Sequence, residues 1–352
     1  MQTVNDKIFA ANIRHQMFLQ RHSSSTVNKI IALLNKIDAK VIARLEKEDF
    51  TKLSKARQKK LLERIKVLLK DGYKPVISEM KNEIASLAIY EAGFQKELIK
   101  RSLPVALDLI TPAPSQLVAA VKARPFQGRL LKEWYKGLES GAFNRLRDAI
   151  RIGSVEGQTT EQVVRIIRGT RKNRYTDGVL QQSRRGASAA VRTAMNHTSN
   201  ISKDLMYRQN SDIIKGVQWV ATLDGKTTRI CASLDGKIFE LEKGPRPPAH
   251  INCRSTMTPI VKSWKELGIN LKQAPEGTRA SMNGQVPAST NYEDFLRKQP
   301  ISFQDDFLGQ KAGILFRKGK LPLSKFVDKA GNNLTLDQLK ISEAEAWKMA
   351  GL

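Results

Sequence analysis

Two cysteines and one histidine, Cys231, His250 and Cys253, lie in a single stretch, Trp219 to Pro259, at a spacing of Cys-x18-His-x2-Cys. The whole chain of 352 residues holds only two cysteines and four histidines, so their convergence on one segment needs a chemical reason. Thiolate and imidazole are ligand types that zinc takes, and a structural zinc site usually closes with four of them. Three are evident here. Asp224, Asp235 or a water would have to supply the fourth, and Thr228 stands where the partner of a CxxC knuckle would fall. Zinc is the one cofactor this pattern suggests. Two other arrangements stay open: buried thiols with His250 hydrogen-bonded to backbone carbonyls, or a Cys231–Cys253 disulfide formed once the protein leaves the cell.

Catalysis at such a cluster would need more. Metal-assisted hydrolysis requires an open coordination position and a general base, and Glu240 and Glu242 are the only glutamates close by in sequence. A Cys-His nucleophile requires a third group to orient the imidazole, and none is marked. Walker, dinucleotide and H-E-x-x-H motifs are missing from the sequence. The expectation is a protein that is not an enzyme, with a zinc-dependent enzyme acting on nucleic acid as the alternative.

The elements that must position the cluster change type along the chain. Ser24, Ser25 and Thr26 offer N-cap oxygens, and Ile30, Leu34, Ile37, Val41 and Leu45 follow at helical steps. Asp49 and Thr51 signal a second start, Asp71-Gly72 a stop and Pro75 a third start. A proline-rich stretch, residues 102–128, marks a boundary, and helices are expected over Leu130–Ile152, from Thr160 to Arg168-Gly169, and from about Asp177 to Tyr207. At Ile213 the pattern turns to alternation and runs into Asp224-Gly225, a strand entering a tight turn. Lys237–Leu241 and Thr256–Val261 read as further strands.

The expected fold class is therefore α+β: mainly α-helical N-terminal and central regions, then a small β-containing Cys/His module and an extended C-terminal tail. Four consecutive parts are expected: 1–110 (basic helical), 111–212 (helical with an Arg/Lys-rich segment), 213–262 (the module) and 263–352 (an extended arm).

Charge narrows the partners. Sixty Lys+Arg against 34 Asp+Glu give a formal charge of +26, which points to polyanions. It is spread out, at +9 over residues 1–110, +10 over 111–212 and +7 over 213–352. Diffuse charge suits contact with bulk nucleic acid through counterion release, without regard to sequence. The densest arginine cluster is Arg165, Arg168, Arg171, Lys172 and Arg174, with Arg184 and Arg185 beyond it. These seven are the DNA-contact candidates. No secretory signal and no run of about 18 apolar residues occurs, so folding in a reducing cytosol, without a membrane partner, is expected.

The module also carries a family signature. W-x4-D-G-K-T-T-x2-C-x2-L-D-G-K-x-F, a proline-rich loop and P-P-A-H-x-N-C-R-S-T resemble the Mu F-like minor head proteins, the head morphogenesis family of tailed bacteriophages. SRRGASAAVRTAMNHTSN upstream, and ASMNGQVPASTNYEDFLRKQP with FQDDFLGQKAGILFRKGKLPLSKFVD downstream, extend the resemblance from about Gly178 to the C-terminus. It implies a minor capsid protein, associated with the portal protein and with major capsid or scaffold proteins. Its work would be procapsid assembly and genome packaging or ejection, with non-specific binding of phage genomic DNA. The implied locations are the virion, at the head interior or portal vertex, and the host cytoplasm during assembly. Members often carry a further cysteine where this chain has Thr228.

Overall fold

The computed structural model describes residues 4–103, 107–263, 266–267 and 277–352. Residues 104–106 of the proline-rich stretch, and 264–265 and 268–276 of the expected arm, lie outside the described residues. The fold is α+β, as its sequence patterns require. Helices α1 (Val4–Leu45), α2 (Lys55–Ser102), α3 (Pro114–Ala123), α4 (Leu131–Val155), α5 (Thr160–Arg168) and α6 (Val179–Gln209) precede the first strand. Then come β1 (Ile214–Val220), α7 (Arg229–Leu234), β2 (Ile238–Phe239), β3 (Thr256–Val261) and a hairpin, β4 (Thr278–Ser281) and β5 (Gly284–Pro287). Short helices follow: α8 (Tyr292–Arg297), α9 (Ile301–Leu308), α10 (Gln310–Arg317), α11 (Leu336–Ser342) and α12 (Ala344–Ala350).

Contacts gather these elements into two units. One comprises Met1–Leu19, Ile89–Leu117 and Ser199–Leu352; the other comprises Gln20–Ala88 and Val118–Thr198. Neither is a consecutive piece of chain, because α1, α2, α3 and α6 each contribute residues to both.

In the second unit, three helix boundaries read from sequence vanish. Ser24 and Thr26 do not cap a helix. Ser24 Oγ donates to the Gln20 carbonyl and Thr26 Oγ1 to the His22 carbonyl, the back-bonding that lets short hydroxyls sit inside a helix. Nor does Asp71-Gly72 stop α2. A Cβ on Gly72 would lie 2.7 Å from Ile37 Cγ1, so this glycine lets α1 and α2 approach closely. Pro75 sits inside the same helix, which survives the missing donor because Val76 and Met80 are buried around it. Asp49 does cap a short 3-10 turn, accepting from the Thr51 amide. Helix α5 is capped by Thr159, one residue before the expected Thr160, in a capping box with Gln162.

In the first unit, β1 is the centre of a three-stranded antiparallel sheet of order β2-β1-β3. Strand β3 has the boundaries expected from sequence. Its outer edge is covered by side chains: Asn5 Oδ1 accepts from the Val261 amide (2.9 Å) and Asn200 Oδ1 from the Met257 amide (3.1 Å). Covering an edge this way prevents pairing with another strand. Ile8, Ile99, Met206, Tyr207, Trp219, Cys231, Cys253 and Met257 form one core beside the sheet.

The C-terminal region departs from the extended arm expected over 263–352. Its described part folds into the β4–β5 hairpin and helices α8–α12. Tyr292, Phe295, Leu296, Leu308, Leu315, Phe316 and Phe326 build a second core with Leu223 and Ala232. Phe303 and Phe307 pack partly buried against it.

Candidate functional site

The cluster is assembled by two elements. Cys231 is carried by α7, which sequence periodicity missed because six residues give too few turns to show a period. His250 and Cys253 sit in a turn just before β3, closed by the Cys253 amide donating to the His250 carbonyl at 3.2 Å. Asn252 lies within it at φ 59°, left-handed backbone that asparagine tolerates better than most residues. Cys231 Sγ lies 3.2 Å from His250 Nε2 and 3.7 Å from Cys253 Sγ, and all three donor atoms fall within 4.8 Å of one another. Both cysteines are buried and free.

The electrostatics follow from this packing. His250 Nδ1 donates to the Ile251 carbonyl at 2.8 Å. A carbonyl can only accept, so the neutral ring turns the lone pair of Nε2 toward the sulfurs. Hydrogen bonding from Cys231 holds Cys253 well below the ordinary thiol range despite burial. The same bond, with burial, pushes Cys231 up. Burial works against charge on His250, but hydrogen bonding and charge from Cys253 overcome it and raise its pKa.

The same three atoms could hold a metal ion. Two sulfurs on a tetrahedral zinc, with Zn–S bonds of about 2.3 Å, stand roughly 3.8 Å apart, and here they stand 3.7 Å apart. An outer hydrogen bond on Nδ1 is also the usual means of fixing a ligating imidazole.

The expected fourth ligands are engaged elsewhere. Arg254 grips Asp224 with both terminal nitrogens, at 2.6 and 2.7 Å. Burial works against the Asp224 charge, and Arg254 overcomes it to lower the pKa. Fully buried Asp235 receives Arg279 at 3.0 and 3.2 Å and the Ala221 amide at 2.7 Å. These two carboxylates brace the module, and among the described residues no other His, Cys, Asp or Glu joins the three-donor group. The glutamates considered as bases point away from this chemistry: Glu240 pairs with Lys243 and Glu242 with Arg208, both largely exposed.

Arg246 is a residue that sequence reasoning passed over. Its terminal nitrogens donate to the carbonyls of Glu240, Leu241 and Lys243 at 2.6 to 3.0 Å, and its Nε to Asp204 at 3.0 Å. A lone arginine among prolines was the available signal. Deeper in the unit, Glu91 and Lys203 are fully buried, 3.5 Å apart. His15 Nε2 faces Glu91 Oε2 at 2.9 Å, Gln95 donates to Glu91 Oε1 at 2.9 Å, and Tyr207 Oη donates to Gln95 at 2.8 Å. Lys203 Nζ donates to Thr256 Oγ1 on β3 at 2.8 Å. Burial works against the Glu91 charge, but Lys203 and His15 overcome it and bring its pKa down to about 2.

The cation candidates divide. Arg165, Arg168, Arg171, Lys172, Arg174 and Arg185 are exposed. Arg184 is half-buried and donates through Nε to Asp38 at 2.9 Å, so it leaves the set. The loop after α5 is built. Asp177 accepts from the Thr170 amide (2.8 Å), the Thr170 hydroxyl (2.7 Å) and the Asn173 amide group (2.9 Å). These bonds hold its carboxyl below the usual carboxylate range. Gly169 (φ +94°) and Gly178 form the neck, where a Cβ on Gly178 would lie 2.4 Å from the Arg168 carbonyl oxygen. At the tip, Arg174 and Tyr175 take φ of 50° and 60°, a conformation costly for bulky residues.

Residues 144–258 match the family model described as phage Mu protein F like protein. This part of the chain is Mu F-like. The match takes in α5, the caged loop, α6 and the Cys/His module. No curated protein and no solved structure matches the chain. Among the described residues, no helix is long and apolar enough to cross a membrane.

Proposed function

We propose that the chain is a minor capsid protein of a tailed phage. It acts beside the portal protein during procapsid assembly and genome packaging or ejection, and holds genomic DNA without regard to sequence. The observation that carries this reading is the caged loop within the Mu F-like segment. Arg171, Lys172 and Arg174 are presented to solvent from a backbone locked by Asp177, Gly169 and Gly178, next to Arg165 and Arg168 at the end of α5. Arginine forks and lysine charges on a fixed backbone suit phosphate contacts, which position a protein on DNA without reading bases.

The role is binding rather than turnover. The Cys/His centre would hold zinc through Cys231, His250 and Cys253, and zinc bound there would fasten α7 to the turn before β3. The neighbouring carboxylates support this view, because Asp224 and Asp235 are already paired with arginines and neither is free to act as a base for hydrolysis. A zinc-dependent nuclease is the competing reading, favoured by a donor group of three where a closed structural site has four. Mass spectrometry of purified phage heads and assembly intermediates tests the proposal. The chain should be found in both at low copy. Its absence from both would refute it, as would nuclease turnover that disappears on His250→Ala.

A further inference from the structure

The second unit has a groove of about 570 Å³ between α2, α3 and α4 that neither the DNA reading nor the Cys/His centre uses. Its floor and walls are Ile77, Ile84 and Ala85 of α2, Val118 of α3, and Leu131 and Tyr135 of α4. Ile84, Leu131 and Tyr135 are buried. Its rim is cationic: Lys81, Lys122, Lys132 and Lys136 line it and are exposed, against one acid, Glu139. On α2 and α3 a lysine follows one turn after an apolar wall residue, as in Ile77/Lys81 and Val118/Lys122, and on α4 Lys132 and Lys136 directly follow Leu131 and Tyr135. None of the four lysines makes an ion pair among the described residues. Tyr135 is 6% exposed and its hydroxyl is buried with no hydrogen-bond partner, a cost that a ligand acceptor would remove.

We infer that this groove docks an acidic amphipathic helix of a partner protein, its aliphatic stripe on the floor and its carboxylates on the lysine rim. Charge complementarity selects that occupant. One carboxylate, as on a fatty acid, would meet one lysine, whereas four lysines spread over three helices match acids distributed along a chain. The apolar floor distinguishes the same occupant from DNA, whose phosphates have no use for Ile77, Val118 or Leu131. Helix-in-groove recognition reads aliphatic anchors at i, i+3, i+4 and i+7, and the inference stands independently of where DNA binds.

The test is fluorescence anisotropy with the full chain and three labelled helical peptides. One carries leucines at i, i+3, i+4 and i+7 among glutamates, a second has those leucines changed to serine, and a third has the glutamates changed to lysine. The first peptide should bind saturably and the other two at least about tenfold more weakly. Charge reversal at the rim, Lys122→Glu with Lys136→Glu, should weaken the first peptide by a similar factor. Lys59→Glu with Lys60→Glu, the same charge change on an exposed part of α2, should leave it unchanged. Equal binding of the serine peptide would mean general attraction of polyanions and overturn the proposal. So would failure of the first peptide to bind, or displacement of it by oleate and not by an unlabelled copy.

Discussion

The first unit contains two buried polar centres built on opposite plans. Around Glu91 and Lys203 the groups answer one another. The carboxylate meets His15, Gln95 and Lys203, and the ammonium meets Glu91 and Thr256. Around Cys231, His250 and Cys253, three donor atoms lie within 4.8 Å of one another, with the sulfurs 3.7 Å apart and His250 Nε2 3.2 Å from Cys231 Sγ. A closed network specifies how α1, α2, α6 and β3 pack. An open cluster of the same size is equipped to take a ligand. Burial alone therefore does not mark a functional site; the direction in which the donors converge does.

The largest effect should come from opening the closed centre. Lys203→Met leaves a buried carboxylate short of a partner and should cost about 3–5 kcal/mol in denaturant unfolding. Adding Glu91→Leu should recover a good part of that loss. If the single variant unfolds like the parent, the network is not what fixes these elements. The open centre should respond to metal instead. Zinc at a hundredfold excess over its Kd should stabilise the chain by about 2–3 kcal/mol, and His250→Ala should abolish the gain without moving the metal-free baseline by a comparable amount. Unaltered thermal unfolding on zinc addition or chelation would erase the contrast between the two centres.

His197, in the second unit, supplies an intermediate case: a buried ring with its Nε2 at 3.2 Å from the Val121 carbonyl and its face near Phe126. Burial lowers its pKa from 6.5 to about 4. The unfolded chain then binds the proton more readily than the folded one. Stability is full above pH 6.5 and falls as the pH drops toward 4, by on the order of 2–3 kcal/mol. Unfolding midpoints across that window, with His197→Asn as the flat control, check the sign. The smallest effect on stability belongs to the exposed loop, where neutralising Arg171, Lys172 and Arg174 should change unfolding by less than about 0.5 kcal/mol.

How much of this was legible in the sequence depended on how local the cause was. Strand β3, the Arg168-Gly169 helix end and the Cys-His-Cys convergence all rest on neighbouring residues or a short spacing, and all could be read. The continuity of α1 through Ser24 and Thr26 could not, because the hydroxyls choose between capping and back-bonding according to what the rest of the helix packs against. Gly72 carried a stop signal whose meaning is reversed by Ile37 on another helix. Asp224 and Asp235 looked like ligands because their arginines lie 30 and 44 residues away. The C-terminal helices were hidden by their length, since six to eight residues barely complete two turns.

The most direct test of DNA holding by the caged loop is a salt titration of binding to unrelated duplexes, with the full chain and a variant neutralised at Arg165, Arg168, Arg171, Lys172 and Arg174. Removing one cation that neutralises a phosphate should flatten the slope of log affinity against log salt by about 0.9. A slope shallower by up to about 4.5 for the five cations, equal for every duplex, is the result expected. An unchanged slope, or a strong preference for one sequence, would contradict it.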